Sequence, residues 1–353
     1  MIAAFFALAL THVVCAETIR LATFNAELSR KGPGLLLRDI LKGDPQAEAV
    51  AAVIARVAPD ILILTGVDFD HEERTLAALN ARLEAAGHGF AHRFTARPNS
   101  GMATGLDLDG DGRRGGAGDA QGFGRYAGEG GMAVLSRYPI GDVRDLSGLI
   151  WAEQAWATLP ERDGAPFPSA EALAVQRLSS VAHWVVPVQV GEQWLTLLAF
   201  HATPPVFDGP EDRNGKRNHD EIVLWRKLLD GHLGEVPEPP LAVIGDANLD
   251  PVDGEGIKTA ITGLLADDRL QDPKPMSEGA RAAADADHRG DPALDTVDWP
   301  DGAPGNLRVD YVLPSADLTV TGAGVFWPAP DQSGSDLAAR ASRHRLVWVD
   351  LRL

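Results

Sequence analysis

The sequence predicts a layered α/β fold, and three observations lead to it. Between residues 19 and 87 the apolar pattern runs strand, helix, strand, helix. Two strand-like runs, 181–190 and 193–202, are joined by Gly191-Glu192 in the manner of a hairpin. No internal repeat and no linker-like stretch divides the 353 residues into halves that each have a core. Local pattern alone makes one two-layer domain with long active-site loops the simplest arrangement.

The elements follow in order. Residues 1–16, MIAAFFALALTHVVCA, contain no acid, Lys or Arg, and Val14-Cys15-Ala16 fits the small-residue pattern before a signal-peptidase cut. A signal peptide over 1–16, a domain over 17–353 and a periplasmic or secreted location are expected. The apolar run is too short to span a bilayer comfortably, so no stable membrane insertion is expected. Cys15 is the only cysteine, so the mature chain has no disulfide, no Cys nucleophile and no thiolate metal site. IRLATFN at 19–25 reads as the first strand of the mature chain. Residues 35–41, bracketed by Gly32-Pro33-Gly34 and Gly43-Asp44-Pro45, read as a short helix or turn. Residues 46–57 have helical spacing and stop at Pro59. Residues 61–64 form a buried strand that continues through Thr65-Gly66-Val67 to Asp68, Phe69 and Asp70. An amphipathic helix over 72–86 ends at Gly87. Residues 98–131 form a Gly- and Asp-rich loop of functional length. Strand character resumes at 131–137, and 146–171 is irregular. A helix is expected over 221–233 and final strands at 307–313, 318–325 and 346–353. Between them LAVIGDANLDP, at 241–251, is a buried strand that turns at Gly245. Its Asp246 and Asn248 are two apart and share a side if the backbone stays extended.

The balance of 45% hydrophobic and 23% charged residues is that of a globular protein with a sizeable core. A net charge of −18 repels polyanions over long range and argues against a nonspecific basic nucleic-acid-binding face. One local basic cluster stands out. DGPEDRNGKRNHDE, at 208–221, follows the strand that ends at His201 and puts Arg213, Lys216, Arg217, Asn218 and His219 in one polar loop. Its Arg213, Arg217 and Asn218 are candidates for binding a substrate phosphate. The loop at 104–120 alternates Asp107, Asp109 and Asp111 before Gly112, like the start of an EF-hand loop. Gly118 stands where that motif needs Glu and no helices flank it, so a structural Ca2+ loop is expected rather than an EF-hand.

Polar residues close several strands: Asn25, Asp68 and Asp70, His201, Asp246 and Asn248, with Asp310 inside LRVDYVLP and His344 before LVWVDL. If those strands share a sheet the groups converge. Carboxylate and amide oxygens suit hard divalent cations, and imidazoles hold or move protons near neutral pH. Asp246 could orient a water and the Asn248 amide could bond a phosphoryl oxygen.

TFN, a strand ending in acids, SRYPI, H-x-x-P, GDxN, R-x-DY and a terminal S-x-H occur in this order, and the set resembles the DNase-like metal-dependent phosphoesterases of the endonuclease/exonuclease/phosphatase superfamily. The resemblance runs from about residue 19 to the C-terminus. It implies a four-layer α/β sandwich of two mainly antiparallel sheets with helices outside. By the same resemblance Asn25 looks like a metal-binding amide, and His201 like a general acid toward the leaving group. Asp246 and Asn248 look like the pair that handles water and phosphate. Asp310 looks like the acid that holds His344, which activates water or stabilises the phosphorane. Mg2+ or Mn2+ is the implied cofactor. Two positions depart from the family pattern. Gly66 stands where a metal-binding Glu is usual, with Asp68, Asp70 and Glu27 as substitutes, and Arg343 stands where an Asp precedes the last His. Arg cannot bind a cation but can clamp a phosphate. The implied function is an exported divalent-metal-dependent phosphoester hydrolase of phosphodiesterase or nuclease type. Its substrate would be a small diester, a nucleic acid or a head group, and a monomer is expected. A phosphomonoesterase, or a weakened calcium-dependent binding protein on the same fold, is the alternative.

Overall fold

The structure is a computed structural model that describes residues 18–300 and 304–353. The expected signal peptide lies outside the described residues. Among the described residues thirteen strands occur: β1 (Thr18–Asn25), β2 (Ile61–Val67), β3 (His92–Thr95), β4 (Gly131–Ser136), β5 (Arg144–Asp145), β6 (Glu161–Arg162), β7 (Ala165–Pro166), β8 (Ala182–Val190), β9 (Gln193–His201), β10 (Leu241–Asp246), β11 (Asp310–Pro314), β12 (Thr319–Val325) and β13 (Val347–Arg352). Six of them form one sheet in the order β12-β13-β1-β2-β4-β3, and five form a second in the order β11-β10-β9-β8-β5. The pair β6-β7 is a small separate hairpin.

Apolar side chains from both sheets meet in one layer. Ile19, Leu21, Ile61 and Ile63 from the first face Trp184, Val186, Leu197 and Ile244 from the second. The intervening residues point the other way. Phe24, Leu62 and Leu64 pack under α1 (Leu35–Lys42), α2 (Pro45–Val57) and α3 (Arg74–Ala85). On the far side Leu198, Phe200 and Val243 pack under Ile222, Trp225 and Leu228 of α5 (Arg213–Leu229) and Ile261 of α6 (Thr259–Leu265). The architecture is therefore four layers, helix–sheet–sheet–helix. This corrects the two-layer reading of local pattern. A strand buried on both faces loses polar alternation and reads as a plain apolar run, so its period cannot report a second sheet.

Two helical expectations sharpen. α2 forms where spacing placed it, opened by Asp44, whose carboxylate accepts from Gln46 N and Ala47 N, with Pro45 at the first turn. The basic stretch read as a loop over 208–221 is instead the first half of α5 from Arg213 onward. Asn, Gly, His and Asp are weak helix formers, and tertiary burial overrides them here. The remaining helices are the short α4 (Ala170–Leu173), α7 (Glu278–Ala282) and α8 (Ser335–Ala341).

Candidate active site

Strand register brings the polar strand ends into one row. β9 and β10 are parallel neighbours with His201 opposite Asp246, and β11 runs antiparallel to β10 with Asp310 opposite the same residue. Gly245 permits this: a Cβ there would lie 1.9 Å from Phe200 O on β9. Asn25 ends β1 in the other sheet and donates from Nδ2 to Asp246 Oδ2 at 2.9 Å, so the row bridges both sheets. His344 lies just before β13. Its Nδ1 is 2.9 Å from Asp310 Oδ2 and 3.9 Å from Asp246 Oδ2. His201 Nε2 stands 3.5 Å from Asp246 Oδ2, while its buried Nδ1 has no hydrogen-bond partner.

This geometry separates the two imidazoles. Burial alone would push both down. At His344 the charges of Asp310 and Asp246 outweigh burial and hold the ring up to about 9, so it is an imidazolium at neutral pH. At His201 burial dominates and His344 adds repulsion, so the ring stays neutral despite Asp246. Burial and Asp310 push the Asp246 carboxyl up, against the two histidines. The lowered ring favours a neutral His201, a form that accepts rather than donates a proton, in contrast to the general acid that the resemblance implies.

Asn248 departs from its expected pose. The strand stops at Asp246, and Asn248 takes a φ of 49°, so the extended-backbone argument fails. Its N–H returns to Asp246 Oδ1 at 2.9 Å and its Nδ2 donates to Ala202 O, which locks the turns after β10 and β9 together.

The basic cluster on α5 is also built inward. Arg217 is buried and donates to the carbonyls of Gln121, Arg177, Leu178 and Ser179. Asn218 Nδ2 donates to Thr203 O and Ala247 O, and Arg213 donates to Leu108 O. Arg217 and Asn218 brace the loops around the row, their bonded donors engaged by backbone oxygens, while half-buried Arg213 is anchored at Leu108 O.

The metal set expected from sequence does not assemble. Gly66 has a φ of +68°, and a Cβ there would lie 2.4 Å from Asn25 Oδ1. Asp68 accepts from Arg30 N and Gly130 N. Asp70 accepts from Arg74 N and Thr75 N and so caps α3. Glu27 is held by Arg343, through its N–H at 2.8 Å and Nε at 2.9 Å, and by Ser342 Oγ at 3.1 Å. Burial raises the Glu27 carboxyl, but those Arg343 bonds hold it below the usual range. Two other groups have the chemistry to hold an ion among the described residues: Asp246, Asp310 and His344, and Asp107, Asp109 and Asp119. In the first, an ion would displace the proton that His344 Nδ1 shares with Asp310. In the second, Asp119 takes the place expected of Asp111, whose Oδ1 turns to Arg113 N.

Sequence reasoning missed Thr296 and Glu221. Thr296 Oγ1 donates to Asp310 Oδ2 at 2.9 Å and accepts from Asp310 N at 3.1 Å. Glu221, fully buried, accepts from Ser180 N, Ser180 Oγ and Thr203 N, and so fixes the loop after His201. Trp299 stands edge-on to His344 with ring centroids 5.7 Å apart. A Thr in a polar loop and a Glu on a helix give no sequence signal of such roles.

Comparison with known proteins agrees with this layout. Residues 22–344 match the Endonuclease/Exonuclease/phosphatase family. An endonuclease/exonuclease/phosphatase from Beutenbergia cavernae DSM 12333 is similar at TM-score 0.55 and 19% identity, covering 95% of this chain and 72% of that one. A family protein from Leptotrichia buccalis C-1013-b is similar at TM-score 0.54 and 17% identity, covering 95% of this chain and 100% of that one. An endonuclease/exonuclease/phosphatase from Bacteroides vulgatus is similar at TM-score 0.50 and 15% identity, covering 96% and 99%. At these identities the likeness concerns the fold. No curated protein matches the chain. With the family matched over nearly its whole length and the same sandwich in solved structures, the chain belongs to the Endonuclease/Exonuclease/phosphatase family.

Proposed function

We propose that the chain hydrolyses phosphate esters as a phosphodiesterase or nuclease-type enzyme. Members of this family are typically hydrolases of phosphoester bonds, and the present reading concerns which groups do the work here. One observation carries it: a cationic His344 and a neutral His201 flank the same carboxylate, Asp246, at 3.9 and 3.5 Å. Pairs of titratable groups pushed apart by their surroundings mark acid and base. Water held by Asp246 attacks phosphorus in line. Its proton passes by way of Asp246 to Nε2 of the neutral His201, 3.5 Å away. The His344 imidazolium, fixed by Asp310, balances the charge that builds on the phosphoryl oxygens and protonates the leaving oxygen. Arg343 adds a second cation, because its side chain is 60% exposed and Nη1 is not needed for the Glu27 pair.

The Glu27–Arg343 pair also favours a second reading, a weakened site on a binding protein, since it neutralises Glu27, one of the carboxylates expected to hold a metal. Turnover separates the two. The chain lacking 1–16 is assayed on bis-p-nitrophenyl phosphate, p-nitrophenyl phosphate and plasmid DNA with Mg2+, Mn2+ or Ca2+. Hydrolysis of the diester, lost in both His201→Ala and His344→Ala, is expected. No turnover on any substrate rejects the enzyme reading for these classes, and turnover of the monoester alone makes it a phosphomonoesterase. Export is part of the proposal and rests on the composition of 1–16. Among the described residues no helix is long and apolar enough to cross a membrane.

A further inference from the structure

The donor set at the Asn25 end of the row does not fit a divalent ion, which needs several oxygens turned inward at once. Asn25 donates from Nδ2 to Asp246 Oδ2, and its Oδ1 accepts from Glu27 N at 3.2 Å. Gly66 adds no oxygen, and Asn25 Oδ1 fills the space that a side chain there would need. Both carboxylate oxygens of Asp68 are taken by the N–H groups of Arg30 and Gly130, and both of Asp70 by those of Arg74 and Thr75. Glu27 is the carboxylate that remains of the expected set, and both its oxygens turn to residues 342 and 343. At Asp246, Asp310 and His344, an ion would have to replace the 2.9 Å bond between His344 Nδ1 and Asp310 Oδ2 that fixes the ring.

What Glu27 holds is a guanidinium. Its Oε2 accepts from Arg343 N at 2.8 Å and from Ser342 Oγ at 3.1 Å, and its Oε1 accepts from Arg343 Nε at 2.9 Å and from Nη2. The same Ser342 hydroxyl donates to Asn25 O at 2.8 Å and accepts from His344 N at 3.1 Å. One hydroxyl therefore ties the Glu27–Arg343 pair to both ends of the row. Glu27 takes a φ of 47°, a left-handed backbone that costs free energy in a residue with a side chain and persists where its surroundings over-determine it. The pair uses the Nε and Nη2 edge of the fork and leaves Nη1 over, on a side chain that is 60% exposed. We propose, on the hydrolase reading above, that the Arg343 guanidinium anchored by Glu27 meets the phosphoryl oxygens in place of a divalent ion, so that the ester is hydrolysed without metal. A planar fork with N–H groups to spare suits phosphate, and a guanidinium keeps its charge over the whole working pH range. It acts through hydrogen bonds and charge alone; no bond to it forms or breaks, and the water proton and leaving oxygen are handled by His201 and His344 as before.

The chain lacking 1–16 is stripped with EDTA and assayed in EDTA on bis-p-nitrophenyl phosphate, and binding of inorganic phosphate is followed by calorimetry in the same buffer. Turnover is expected to persist in EDTA. Arg343→Ala lowers both kcat/KM and phosphate affinity at least roughly tenfold, the loss expected for hydrogen bonds from a charged donor. Added guanidinium ion restores turnover to Arg343→Ala while urea, its neutral counterpart, does not, a difference that a merely structural Arg343 would not produce. Arg343→Lys, which keeps the charge without the fork, repeats the binding measurement if Arg343→Ala does not fold. Turnover that stops in EDTA and returns with Mg2+ or Mn2+ overturns the proposal and leaves the hydrolase reading standing. No turnover with or without ions rejects the hydrolase reading and the metal-free reaction with it. In that case phosphate binding lost in Arg343→Ala still supports Arg343 as the phosphate-binding cation, and equal binding by the two proteins overturns that as well.

Discussion

Replacing Asp310 by Asn tests the assignment of His344 as the catalytic cation. Asn keeps the shape and can keep the bond to Thr296 Oγ1, but removes the charge 2.9 Å from His344 Nδ1. Asp310 is the first of the groups that raise His344 to about 9 against burial. Without it the ring falls, since only Asp246 and Glu27 are left to oppose burial. A fall as far as the ordinary value of 6.5 would take the imidazolium fraction at pH 8 from ~90% to ~3%, roughly thirtyfold. The sign follows: a raised pKa keeps the active cation below about 9 and loses it as pH rises through that value. In the wild type kcat/KM on a diester falls on the alkaline side near pH 9, whereas in Asp310→Asn the fall moves down by more than one pH unit. A proton NMR titration of the His344 ring reads the same shift without turnover. If the ring titrates near 6.5 in both proteins, or the alkaline limb stays in place, His344 is not the cation and the proposed division of roles fails.

Three further outcomes follow from the geometry. Asn218→Ala strands two buried carbonyls, Thr203 O and Ala247 O, and is expected to lower stability by about 2–4 kcal/mol in urea unfolding. Arg343→Asp removes a phosphate-binding cation and sets a second carboxylate beside Glu27. Diester kcat/KM falls roughly tenfold or more, while Mn2+ affinity, read by calorimetry, rises at least roughly tenfold. Unchanged Mn2+ affinity would mean that the two carboxylates do not converge. Gly66→Ala forces a side chain onto a left-handed backbone and against Asn25 Oδ1, and about 1–3 kcal/mol is lost in the same unfolding assay from the backbone alone.

The strands and their polar ends were legible because a buried strand announces itself as a short apolar run, and the residue that stops it is visible. Asn25, His201 and Asp246 were found that way, Asp310 as an acid inside an apolar run and His344 just before one, and the fold puts all five in one row. The number of layers was not legible locally, since Ile61 and Leu62 are equally apolar yet face different cores. Nor was the inward turn of Arg217 and Asn218, which depends on loops more than a dozen residues away in sequence. Asn248 misled because the argument from extended spacing assumed a strand one turn longer than the one present. The protonation of the histidines was out of reach for the same reason: His201 and His344 share a type and differ only in which carboxylates stand beside them.

The pairing of β1 with β13 has a consequence for the time at which this protein becomes capable of anything. Thr18 lies opposite Arg352, and Arg20 is bridged to Asp350 at 2.7 Å, so the first and last described strands are neighbours inside one sheet. Contacts that join the two ends of a chain form only after both have been made and are slow to close. Asn25 and His344, the two site residues carried by those ends, meet Asp246 only then. Until β13 has been made, β1 lacks its antiparallel partner at that edge and the row is not assembled.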